Sequence, residues 1–149
     1  MFLMDTNVIS ELLQEHPGRK LLRWVKEQAD QNRAIHVSAL SKAEIESGIY
    51  YMVDGEKKRT LSNNAETFFT AQKKRCYAFN ARSAIYYAKI WADNRKTGRN
   101  IGAMDTMIAA VAVQHKLTLV TGNVKHFADI ENLKIINPWD SQKRGKISS

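Results

Sequence analysis

The chain has 149 residues, the size of one compact domain built around one core. It is 44% hydrophobic and 26% charged, as an ordinary folded domain is, and its longest apolar run, Met107 to Val113, falls far short of the roughly 20 residues that cross a bilayer. Lys and Arg number 23 against 15 Asp and Glu, and the net charge of +8 favours a polyanionic partner such as nucleic acid or an acidic protein.

Phe2 to Met4 is a short apolar run that predicts a buried first strand, with Asp5 directly after it. The N-terminus has no basic start followed by an apolar stretch, so it does not resemble a signal peptide. A helix is expected from Thr6 to Glu15, stopped by Pro17 and Gly18, and a second over Arg19 to Ala29, where Leu21, Leu22 and Val25 recur at helical spacing. Ile35 to Ser38 reads as a strand and Ser41 to Met52 as a helix with Ile45 and Ile49 on one face. Glu56 to Lys74 predicts either one helix or a hairpin of two. It carries the basic clusters Lys57-Lys58-Arg59 and, at its end, Lys73-Lys74-Arg75.

Cys76 is the only cysteine, so no internal disulfide and no cysteine zinc cluster can form, which favours the reducing cytoplasm. Tyr77 to Phe79 predicts a short strand, and Asn80 a cap for a helix over Ala81 to Lys96. Thr97 to Gly102 reads as a loop and Ala103 to His115 as a helix. Leu117 to Val120 follows as a strand, Thr121 to Asn123 as a turn, and Lys134 to Ile136 as a last strand stopped by Pro138. The polar, basic stretch Asp140 to Ser149 reads as a flexible tail, leaving residues 1–139 as the domain. Short strands alternating with helices imply parallel pairing through crossovers, hence an α/β sandwich.

In open parallel sheets, sites form beyond the carboxyl ends of the strands. Asp5 ends the first strand, and Glu44 lies in the first turn of the helix after Ile35 to Ser38. Asp105 begins a helix of roughly 18 Å that returns through a short link as a strand of roughly 13 Å, so the helix start comes back to the far end of that strand. Three acids distant in sequence therefore meet at one edge. Two carboxylates ~4 Å apart repel by roughly 4 kcal/mol at an effective dielectric near 20, which protonation or a cation must relieve. With oxygen donors and no Cys or paired His at metal spacing, Mg²⁺ or Mn²⁺ is the natural ion. Each acid also has a structural reading. Asp5 suits a helix cap, Ser41 with Glu44 a capping box, and Asp105 a first-turn acid favoured by the helix dipole.

The segment Met4-Asp5-Thr6-Asn7-Val8-Ile9-Ser10 resembles the opening of PIN-domain proteins, especially VapC- and FitB-like toxins of the type II toxin–antitoxin, plasmid-stability kind. The stretch Val37 to Ile49 looks like the second block, with Glu44 in the acidic slot. Asp105 to Ala110 matches the third, Leu119 to Phe127 the fourth, and Asn137-Pro138-Trp139 the ending. The resemblance implies a PIN-like three-layer sandwich and a Mg²⁺- or Mn²⁺-dependent endoribonuclease. Such an enzyme hydrolyses single-stranded or loop RNA, often tRNA, and is held inactive by a cognate VapB-like antitoxin with an Arg facing the carboxylates. A homodimer is the family habit.

Asp5, Glu44 and Asp105 would be the metal-binding and catalytic acids. Thr6 and Asn7 would orient Asp5, Thr121 would hold a carboxylate or phosphate oxygen, and Asn123 would support a metal-bound water. Two departures stand out. Asn123 replaces an Asp that many relatives carry, and His126 stands where relatives often have an acid, which argues against a strongly held second ion. The competing functions are a catalytically idle PIN domain that only binds nucleic acid or protein, and a phosphoacceptor domain, which would want a Lys at the end of the last strand near the site, where Thr121-Gly122-Asn123 offers none.

Overall fold

Side chains alternate in direction along a strand, and the first strand shows what that dictates: Leu3 is buried on one face and Met4 on the other. The computed structural model describes residues 1–140. Among them β1 (Phe2–Met4), β2 (Ile35–Ser38), β3 (Cys76–Tyr77), β4 (Thr118–Val120) and β5 (Ile135–Ile136) form one sheet in the order β3-β2-β1-β4-β5. All four pairings are parallel, with Leu3 opposite both His36 and Leu119.

Two apolar clusters sandwich the sheet. Met4, Val37 and Val120 face α1 (Thr6–Leu12), α2 (Arg19–Asp30), α3 (Ala39–Tyr51) and α4 (Glu56–Ala71), through Val8, Leu21, Trp24, Ile45 and Phe69. Leu3 and Leu119 face α5 (Ala81–Lys96), α6 (Ala103–Gln114) and the single turn α7 (Val124–Phe127), through Ile90, Ile108 and Phe127. The central sheet between helix layers is the expected PIN-like α/β sandwich.

The differences have local causes. Helix α1 stops at Leu12, not Glu15: the Leu13 carbonyl accepts from the Asn64 amide at 2.8 Å, and the chain then turns toward Pro17. Helix α3 begins at Ala39 because Ser38, not Ser41, is its cap, its hydroxyl accepting from the Ser41 N–H at 3.2 Å. The expected Ser41–Glu44 capping box is therefore not formed. Residues 56–71 make one helix and Lys73–Arg75 a 3-10 turn, and β3 starts at Cys76, earlier than Tyr77 to Phe79. Helix α7 is too short to leave a periodic signal. Of the expected tail, Ser141 to Ser149 lie outside the described residues. His36 and His115 both pack against Tyr77, with ring centroids 5.1 and 4.0 Å away.

Candidate active site

The carboxyl ends of β1 and β4 carry Asp5 and Thr121, and a hydrogen bond closes the gap between them. Thr121 Oγ1 donates to Asp5 Oδ2 at 2.8 Å, and the Asn123 N–H donates back to Thr121 Oγ1 at 3.0 Å. Asp5 Oδ1 accepts from the Thr6 N–H at 2.8 Å, so its second oxygen serves as the cap of α1. Asp5 therefore caps α1 with one oxygen and accepts from Thr121 with the other. Thr121 is fully buried, and its proton is committed to Asp5, so it holds a carboxylate and not a phosphate oxygen.

Glu44 arrives from α3 and is held by the other threonine: Thr6 Oγ1 donates to Glu44 Oε1 at 2.7 Å and lies 2.9 Å from Ser41 Oγ. Thr6 supports Asp5 through its backbone only, and its side chain orients Glu44. Asn7, expected to orient Asp5, is exposed on the cleft wall and gives it no hydrogen bond, because the start of α1 turns its side chain outward. Asp105 sits in the first turn of α6, where Oδ2 lies 3.0 Å from His126 Nε2. Asn123 reaches the cleft beside Gly122, where a Cβ would come within 2.8 Å of the Trp139 ring, so only glycine lets that ring close against the turn.

Asp5, Glu44 and Asp105 line one open cleft of about 450 Å³ with Thr6, Asn7 and Asn123. Ser10, Glu11 and Gln14 of α1 and its end complete the wall. Glu11 is a fourth acid that the motifs do not mark. Its signal was the i, i+3, i+4, i+7 spacing of Asn7, Ser10, Glu11 and Gln14, which puts all four on one helix face. Its Oε1 accepts from the Gly18 N–H at 3.0 Å, tying the cleft wall to the start of α2.

Among the described residues no Lys or Arg lines this cleft, although the chain as a whole is strongly basic. Asp5 feels the consequence. Burial pushes its carboxyl above the ordinary range, the Thr121 and Thr6 hydrogen bonds pull it down, and the charges of Asp105 and Glu44 push it up again. Among the described residues, however, no three His, Cys, Asp or Glu side chains close into a ligand cluster. The acids share a cleft, but each rests on its own hydroxyl, amide or ring partner. The donor chemistry fits a hard divalent cation: mutually repelling carboxylates and amide oxygens, with no Lys or Arg among the described residues lining the cleft.

The family model for the PIN domain matches residues 2–133. The chain is 33% identical to the VapC ribonuclease Y4jK of Sinorhizobium fredii over 141 residues, 94% of this chain and 99% of that protein. It is also 33% identical to Toxin FitB of Neisseria gonorrhoeae, over 93% of this chain and 99% of that one. In the crystal structure of FitAcB from Neisseria gonorrhoeae, one chain superposes with a TM-score of 0.82 at 32% identity, covering 94% of this chain and 99% of that one. Matched span, identity and shared fold together make this chain a member of the PIN-domain family, on the branch that includes the VapC and FitB toxins.

Proposed function

We propose that the chain is a Mg²⁺- or Mn²⁺-dependent endoribonuclease toxin that hydrolyses single-stranded or loop RNA, tRNA among its candidate substrates. The observation that carries this reading is the cleft itself: Asp5, Glu44 and Asp105, from three separate stretches of chain, line one polar hollow that no Lys or Arg among the described residues lines. An acidic hollow repels a phosphodiester, and a bound divalent ion would offset much of that charge and give the phosphate a local positive partner. Asp5, Glu44 and Asp105 would hold the ion, which when bound supplies charge to stabilise the phosphoryl oxygens and to acidify a water. The protein groups do the positioning. Thr121 and the Thr6 amide fix both Asp5 oxygens, and the Thr6 hydroxyl fixes Glu44. The net charge of +8 supports a polyanionic substrate.

The same hollow suits inhibition by a cognate antitoxin whose Arg enters it. Alongside runs an apolar groove that shares Thr6, Ser10, Gln14 and Glu44 and is floored by Leu13, Ile45, Ile49 and Leu61, a seat for an apolar segment of that partner. Exposed Ile85 and Trp91 on α5 support a homodimer. No helix among the described residues is long and apolar enough to cross a membrane, and a single free cysteine suits action in the cytoplasm.

A second reading, an idle PIN domain that only binds nucleic acid or protein, is favoured by one observation, the lack of a closed three-ligand cluster among the described residues. Sequencing RNA 5′ ends after brief induction of the wild type beside Asp5→Ala separates the two. Wild-type-specific internal ends support the nuclease. Identical end maps for both proteins leave only the binding module.

A further inference from the structure

His126, on α7, stands against Asp105, one of the acids that line the cleft. Nε2 is sealed from solvent, and Asp105 Oδ2 lies 3.0 Å away, the only ion-pair partner it has among the described residues, although the ring N–H is not aligned with that oxygen as a hydrogen bond requires. The ring is held in place from two sides. It stands edge-on to Phe127, at 5.3 Å and 89°, and Phe127 is fully buried in the core. The His126 N–H also donates to the Asn123 carbonyl at 3.1 Å, which fixes the turn that presents the ring.

From this arrangement we infer that His126 is a positioning residue that covers the outer oxygen of Asp105 and so limits the cleft to one tightly held divalent ion. An acid in the same place would face Asp105 across about the same gap, and the pair would repel by several kcal/mol unless a second cation lay between them. The imidazole removes that need by standing where a second ion would take Oδ2. The role needs the ring in place, not a particular charge on it. Asn123, which lines the cleft, offers an amide and adds no negative charge. The inference rests on reading the cleft as a metal site and adds to it the number of ions.

The test is a Mn²⁺ titration of the purified full chain by calorimetry, with free Mn²⁺ followed by electron paramagnetic resonance. The wild type should take one tight ion per chain, with any second weaker by at least about tenfold because it must displace the ring or share one oxygen. His126→Glu, whose carboxylate reaches about as far as the ring nitrogen, should take two ions of similar affinity. His126→Gln, equal in length but uncharged, should keep one, whereas a purely structural role would make both variants behave alike. Two equally tight ions on the wild type, or one on a folded His126→Glu protein, overturns the assignment while leaving the metal site standing. A folded wild type that binds no Mn²⁺ removes the metal site and this inference together. The wild-type stoichiometry decides even where His126→Glu fails to fold.

Discussion

Thr121 Oγ1 and Asp5 Oδ2 lie 2.8 Å apart although their residues are 116 positions apart in sequence, both buried where neighbouring parallel strands end. The bond is a brace for the carboxylate and an anchor for the turn that carries Asn123. Thr121→Val keeps the shape and removes the hydroxyl, leaving Asp5 Oδ2 and the Asn123 N–H without their partner. A loss of about 1 to 3 kcal/mol in chemical denaturation is expected. Divalent-ion affinity should fall as well, because the lost hydrogen bond had favoured the charged form of Asp5.

Asp5 makes stability depend on pH in a definite direction. Its carboxyl titrates higher folded than unfolded, chiefly through burial, so the ionised form burdens the fold. That burden is complete above the folded value and disappears as pH falls through it to the unfolded value. In chelator-treated protein, Asp5→Asn should therefore be more stable than the wild type at neutral pH, and the difference should close in acid. The amide can still accept from the Thr6 N–H and donate to Thr121 Oγ1. Thermal melts of both proteins across pH check this. A gap that widens in acid contradicts it.

Thr6 joins two of the acids, its amide holding Asp5 and its hydroxyl Glu44. Thr6→Val spares the amide and releases Glu44. Outer partners of metal ligands are typically worth roughly 10- to 100-fold in metal affinity or activity, and a loss of that order in RNA cleavage is expected. The melting temperature should move little, since Thr6 is only half-buried.

At the start of α3, the buried Ser38 hydroxyl caps the Ser41 N–H. Ser38→Ala should cost about 1 kcal/mol in denaturation. Ser41→Ala should cost less, because the cap survives and Thr6 still donates to Glu44. A larger loss from Ser41→Ala would restore the capping role to Ser41.

These residues mark the line between what is legible in a sequence and what is not. Asp5 was readable because a three-residue apolar run has only one carboxyl end. Asp105 was readable because a short link forces α6 and β4 to run antiparallel, which returns the helix start to the far end of the strand. The choice between Ser38 and Ser41 was not, since both precede an apolar helical face and only tertiary packing shows that Glu44 answers to Thr6. The contact of His126 with Asp105 joins an isolated helical turn to the start of another helix, and local periodicity carries no trace of it. Glu11 was legible in helical spacing, but nothing in that spacing says which face of α1 meets the cleft.

The account stands on acids at one sheet edge acting through a divalent ion on RNA, and purified protein tests it most directly. Single-stranded RNA is incubated with Mg²⁺ and the wild type, with excess chelator added, and with Asp105→Asn, and the 5′ ends are mapped. The account predicts defined internal cuts by the wild type, their loss with chelator and restoration by added Mg²⁺, and at least about 100-fold slower cutting by Asp105→Asn, as for removal of a group that acts in the transition state. Cutting that survives both chelator and Asp105→Asn, or no cutting by a folded, antitoxin-free wild type, would contradict it.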